Sequence, residues 1–166
     1  MGLDAVVFCD CVEKKRLKSP HPFPDLLYIS ANGSPEIRSR SSAKREQHDE
    51  WMHHACRHEG MILDGDQLGS IGGIEFISAS LAQLVPRPDR QFPVLWGKVI
   101  YDGAHCGDHL KLGDVVKLRD ELRRLSKVDF SGLSLKSEDA TYLKQFQSIL
   151  TAIVRTALRV QKPIAF

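Results

Sequence analysis

Cys9 and Cys11, then His53, His54, Cys56 and His58, then His105, Cys106 and His109 form the densest supply of metal-ligating side chains in this 166-residue chain. Thiolates and imidazoles together suit zinc, which takes four such donors in a tetrahedron. His54 and His58 are four apart, so on a helix they stack on one face at a spacing a zinc site uses. Cys9 and Cys11 fall on one face of a strand and would complete a mixed Cys/His set, with His105 and Cys106 as further ligands. There is no CxxC pair, and no Glu stands between His54 and His58 in HExxH order. The plainer alternative is that Cys9, Cys11 and Cys56 are small core side chains and the histidines lie at the surface.

Cys106, beside His105 and Asp108, offers the residue types of a cysteine nucleophile. Adjacent side chains point apart, so the base would have to come from another segment, such as His54 or His58. Asp64, Asp66, Asp102 and Asp108 would make an acidic rim, with His105 and His109 beside it, if the stretches 59–73 and 102–109 meet. Such a rim can do acid–base work, hold a hard cation or receive a basic protein. The segment from Asp64 is not an EF-hand: Gly69 and Glu75 fall at the expected places, but apolar Leu68 stands where a ligand belongs. Turn-forming and helix-capping roles account for these aspartates equally well. Gly69-Ser70-Ile71-Gly72-Gly73 could cradle a phosphate at a helix start, yet it lacks the Lys-Ser/Thr of a P-loop, and close helix packing explains the small residues more simply. Lys14, Lys15, Arg16, Lys18, Arg38, Arg40, Lys44 and Arg45 gather in the first quarter with few aromatics among them, which describes a solvated face better than a nucleic-acid surface.

The totals are those of an ordinary globular domain: 42% hydrophobic, 27% charged, formal net charge +2. That balance points to neither nucleic acid nor a membrane surface as partner, and no apolar run is long enough to span a bilayer. The opening MGLDAVVFCDC carries an acid at its fourth position and does not read as a secretory signal. Four cysteines without such a signal are expected as reduced thiols in a cytoplasmic protein.

These side chains need a scaffold, and hydrophobic periodicity supplies one. Residues 4–12 read as a first strand, with Val7, Cys9 and Cys11 on one face; Leu26–Ser30 and Pro35–Arg38 read as a hairpin about Asn32-Gly33. A helix capped by Ser41 or Ser42 is expected to run to about His58, followed by an irregular loop from Glu59 to Gly73. Ile74, Ile77, Leu81 and Leu84 predict a second helix, stopped by Pro86 and Pro88. Val99–Tyr101 is expected to be a central strand leading into the polar loop 102–109. Asp114 is expected to cap a helix with Val115, Leu118, Leu122 and Leu125 on its apolar face. Lys127–Ser134 predicts a short strand or connection, and Ser137 opens the longest helix, whose stripe runs from Leu143 through Phe146, Leu150, Ile153 and Ala157 to Val160. The apolar tail Ile164-Ala165-Phe166 is expected to pack down. Together these give a single α+β domain over residues 1–166, a small, mainly antiparallel sheet against about four helices.

The opening MGLDAVVFCDC, the central YDGAHCGDHL and the final QKPIAF together resemble a group of small uncharacterised bacterial proteins, a likeness spanning most of the chain. The piece HCGDHL is similar to strand–loop–helix segments of the immunity proteins encoded beside bacterial polymorphic toxins. That resemblance implies a non-enzymatic antidote whose partner is a cognate protein toxin, gripped by Asp64, Asp66, Asp102, His105, Asp108 and His109 and needing no cofactor. The competing expectation is a zinc-dependent enzyme or zinc-stabilised domain using His54, His58, Cys9, Cys11, His105 and Cys106. A third is a structural module that self-associates through the last helix. The oligomeric state is not fixed by the sequence.

Overall fold

The structure, a computed structural model, describes residues 2–100, 108–130 and 137–166. It is α+β. Strands β1 (Gly2–Phe8), β4 (Ile62–Ser70), β5 (His109–Leu110) and β6 (Ile164–Ala165) form one sheet in the order β4-β1-β6-β5, each neighbouring pair antiparallel. Strands β2 (Leu27–Ile29) and β3 (Pro35–Ile37) form a separate hairpin, turned by Asn32 and Gly33 as expected, with Gly33 at φ 89°. The helices are α1 (Ser42–His54), α2 (Ile71–Leu84), the single turn α3 (Pro88–Gln91), α4 (Leu112–Leu125) and α5 (Ser137–Val160).

The main core lies where β1, β4 and β6 meet α2, α4 and α5. Leu3, Ala5 and Val7 alternate inward along β1, as a period of two requires. The predicted stripes hold: Val115, Leu118, Leu122 and Leu125 of α4, and Leu143, Phe146, Leu150, Ile153 and Ala157 of α5, are all buried. The tail does more than pack down, since Ile164 and Ala165 supply the strand that joins β1 to β5.

Five expectations are corrected. The first strand ends at Phe8 and does not reach Val12, the residues after it turning away from the sheet. The stretch 59–73 is a 3-10 turn, a nine-residue strand and the start of α2 rather than a loop; pairing with β1 along its whole length overrides the low strand propensity of its glycines and aspartates. Val99 belongs to a π-helical turn, Leu95–Val99, rather than to a central strand. The buried Glu121 carboxylate sets that turn, accepting from the Val94 N–H at 3.0 Å and the Leu95 N–H at 2.7 Å. Asp114 is inside the first turn of α4, not its cap; Lys111 holds the cap position, and the Asp114 carboxylate instead meets Lys98 Nζ at 2.5 Å. Helix α1 ends at His54 and not near His58. The 127–134 stretch shows no strand among its described residues.

A second, smaller core sits under α1: Cys9, Cys11, Trp51, Ala55, Cys56 and Met61. Helix α1 is polar and buries only His48 and Trp51 along its length. His21 Nδ1 accepts from the Phe23 N–H at 2.9 Å, so its Nε2 carries the proton and donates to His48 Nδ1 at 3.0 Å. Trp51 Nε1 donates to the Ser19 carbonyl at 3.1 Å. So thin an apolar face gives α1 little hydrophobic hold on the sheet.

Candidate metal centre

The thiols of Cys9, Cys11 and Cys56 and the imidazole of His58 converge in this second core, with one ligating atom from each lying within 4.8 Å of all the others. Two segments deliver them. Cys9 and Cys11 leave the inner face of β1 just past its last residue, and the Arg16 N–H closes their loop onto the Cys11 carbonyl at 2.8 Å. Cys56 and His58 follow the end of α1, in a turn tied to the first segment by the Cys9 N–H donating to the Met61 carbonyl at 2.8 Å. Both loops hold a non-glycine residue at positive φ, Lys15 at 52° and Met61 at 58°, the kind of backbone strain that gathers at functional sites.

Three of the six donor–donor separations match the edges of a zinc tetrahedron, and the other three lie within 4.8 Å. With Zn–S of about 2.3 Å and Zn–N of about 2.0 Å, tetrahedral edges come to about 3.8 Å between sulfurs and about 3.5 Å from sulfur to nitrogen. Cys9 Sγ and Cys56 Sγ are 3.7 Å apart, and His58 Nδ1 lies 3.5 Å from both Cys11 Sγ and Cys56 Sγ. The cysteines are 1%, 3% and 4% exposed, so water has little access to three of the four donors.

The electrostatics divide into what the bare cluster prefers and what a dication would change. Burial pushes the Cys9 thiol up to about 12 and raises Cys11 as well, so without a metal these are neutral thiols. Burial, with the Arg57 and Arg16 cations nearby, lowers His58 below its ordinary value and leaves it a neutral ring that can ligate. Arg57 Nε donates to His58 Nε2 at 3.2 Å, which places the ring proton on Nδ1 in the bare cluster. A metal on Nδ1 would move that proton to Nε2, and the exposed Arg57 side chain can then turn to solvent. Three thiolates on a dication leave one negative charge, which Arg16 and Arg57 stand near enough to offset. Asp10, between the two cysteines, is committed elsewhere. Burial works against its charge, but Lys14 and Arg16 pair with it and hold its carboxyl below the usual carboxylate range.

Of the ligands predicted from sequence, Cys9, Cys11 and His58 come together. His54 does not join them: it is exposed at the last position of α1, and the i, i+4 pairing with His58 fails because the helix has already ended. Cys56, one of the potential ligands but not in the expected zinc set, takes its place. The sequence signal for Cys56 is the matched pair Cys-Asp-Cys and Cys-Arg-His, each bringing two donors two residues apart. His105, Cys106 and Asp102 lie outside the described residues, and with them most of the HCGDHL segment and the nucleophile reading of Cys106.

The expected acidic rim is not assembled from its described members. Asp64 and Asp66 lie on β4 and Asp108 and His109 at β5, the two outer strands of the sheet. Asp64 accepts from the Thr156 hydroxyl at 2.5 Å, and Asp66 is exposed and accepts from the Gln67 N–H at 2.8 Å. Asp108 is exposed and its carbonyl accepts from the Phe166 N–H at 2.9 Å. His109 is half-buried, and its Nε2 meets no hydrogen-bonding partner among the described residues. The glycine stretch 69–73 serves packing: a Cβ on Gly69 or Gly73 would fall 2.1 or 1.9 Å from the Tyr142 hydroxyl. Among the described residues no helix is long and apolar enough to cross a membrane. No protein-family model, curated protein or solved structure matches the chain.

Proposed function

We propose that the chain is a zinc-stabilised domain in which Cys9, Cys11, Cys56 and His58 bind one zinc ion as a closed structural centre. The observation that carries this reading is the agreement of three donor–donor separations with the edges of a zinc tetrahedron. Four protein donors fill the coordination sphere and leave no position for a reactive water, so the centre is structural and not catalytic. Its work is to fasten the loop after β1 to the turn after α1, where the polar helix brings few apolar contacts of its own.

Metal analysis of protein purified without a histidine tag tests this, with cobalt substitution as the second readout. The expected result is one zinc per chain and, for the cobalt form, the thiolate charge-transfer and tetrahedral ligand-field bands of a three-sulfur site. Protein that is folded and metal-free, and that takes up no cobalt after reduction of its thiols, would remove the proposal.

A further inference from the structure

Away from the cysteines, two helical stripes face each other across a groove of about 640 Å³. On α4 the stripe is Arg119, Leu122, Arg123 and Ser126, spaced i, i+3, i+4, i+7. On α5 it is Lys144, Ser148, Thr151, Ala152, Arg155 and Leu158, the same periodicity carried over four turns. The floor is apolar, with Leu122 and Val154 buried and Leu158 half-buried, while Ser148 and Ala152 keep the α5 wall low enough for a backbone to come close. The rim is cationic. Asp120 meets Arg119 at 2.9 Å and Arg123 at 3.3 Å, but Lys144 and Arg155 pair with no carboxylate among the described residues. Four cations thus line the rim, and Asp120 is the one carboxylate that pairs with any of them among the described residues, so the groove carries a positive balance.

We infer that this groove is a docking site for an acidic amphipathic helix of a protein partner. Two helical walls over an apolar floor are the setting of helix-in-groove recognition, in which a third helix inserts residues spaced i, i+3 or i+4, and i+7. From Lys144 to Leu158 the α5 wall extends about 21 Å at 1.5 Å per residue, which matches a helix of about 14 residues. Asp and Glu flanking the inserted stripe would meet Arg119, Arg123, Lys144 and Arg155, giving fixed orientation and a salt-sensitive association rate. Single-stranded nucleic acid suits the groove less well, because among the described residues no aromatic side chain lines it for base stacking. The charge is opposite in sign to the acidic surface expected from sequence, so the partner would be acidic here and not basic. The inference stands apart from the zinc centre and survives its loss.

A display library of helical peptides of about 16 residues, selected against the full chain, tests it. Enriched sequences are expected to carry an apolar stripe flanked by Asp or Glu and to bind more tightly as salt is lowered. Affinity is expected to fall by about tenfold or more for Arg123→Glu with Arg155→Glu, and again for Ala152→Trp, which fills the groove. All three positions are exposed, and circular dichroism and thermal melting check that the variants stay folded. The inference is overturned if no peptide is enriched, if neutral or basic peptides are enriched instead, or if binding ignores both variants. It is overturned equally if a single-stranded RNA competes through the same cations with higher affinity than any acidic peptide.

Discussion

Cys9 Sγ lies 3.7 Å from Cys56 Sγ although 47 residues separate them in sequence, one at the end of a strand and the other just past the end of a helix. A third thiol, Cys11, and the imidazole of His58 stand beside this pair, so the four donors converge within the thin core under α1.

Cys9→Ala and Cys56→Ala are therefore expected to abolish stoichiometric zinc and to lower Tm on the order of 10 °C, since structural zinc contributes directly to folding. Chelation of the unaltered protein should produce the same fall. His54→Ala serves as the control, being exposed and outside the cluster, and should change neither. Atomic emission on the purified variants alongside thermal melting reads both quantities; identical behaviour of all three variants would discard the assignment.

The burial of His21 makes stability fall in acid. Burial pushes the His21 imidazole below its ordinary value and the neighbouring His48 adds to this, so the folded protein keeps His21 neutral. The unfolded chain takes up a proton at an ordinary pKa of about 6.5, so below that pH it binds more protons than the folded chain and stability is lost as pH drops. The stabilising difference is fully present above the unfolded value. His21→Gln keeps a donor for His48 Nδ1 but does not titrate, and urea midpoints measured from pH 5 to 8 should show a shallower acid fall for it. An unchanged slope would rule His21 out as the cause.

Glu121→Ala would strip the partner from two backbone donors, the N–H groups of Val94 and Leu95, which Glu121 now receives in the interior. At about 1–3 kcal/mol for each buried group left unpaired, the loss should reach about 2–6 kcal/mol in chemical unfolding. Glu121→Gln retains one acceptor oxygen and should lose less. Equal losses from the two variants would mean that packing volume, and not the pair of hydrogen bonds, sets the cost.

Two adjacent glycines of α2 should respond oppositely to alanine. A Cβ on Gly72 meets nothing within 4 Å, and Gly72→Ala is expected to stabilise the helix by about 0.5–1 kcal/mol. On Gly73 it would fall 1.9 Å from the Tyr142 hydroxyl and 2.7 Å from Cζ, so Gly73→Ala should cost about 1–3 kcal/mol through forced repacking. Tyr142→Phe should return part of that cost, because it removes both the nearest atom and a buried hydroxyl without a hydrogen-bond partner among the described residues. Denaturant midpoints for the two single variants and the Gly73→Ala/Tyr142→Phe pair give the coupling directly. Additive losses would contradict the contact.

Periodicity carried much of this fold in plain view. The stripes of α4 and α5, the Asn32-Gly33 hairpin and the Ser41 cap of α1, whose hydroxyl accepts from the Lys44 N–H at 3.4 Å, are all local patterns. What local pattern could not show is pairing at a distance. The glycines and aspartates of 62–70 look like loop until β1 is placed beside them, and Val99 looks like strand until Glu121, from α4, caps the turn it occupies. The candidate metal centre divides the same way. The strand period puts Cys9 and Cys11 on one side, though β1 ends at Phe8 and a turn carries Cys11, whereas the choice of Cys56 over His54 depends on α1 stopping at His54.

Strand β6 pairs with β1 through Val6 and Ala165, and among the described residues it is also the only strand that β5 touches. Half of the sheet thus waits on an encounter between residues almost a whole chain length apart. Closing so long a loop is entropically unfavourable before any contact repays it, though the penalty grows by only about 0.6 kcal/mol per doubling of length. The hairpin and the individual helices can form early from neighbouring residues, but the completed sheet cannot. Refolding should accordingly be slow for a chain this rich in helix, with the docking of Ile164 and Ala165 as its late step.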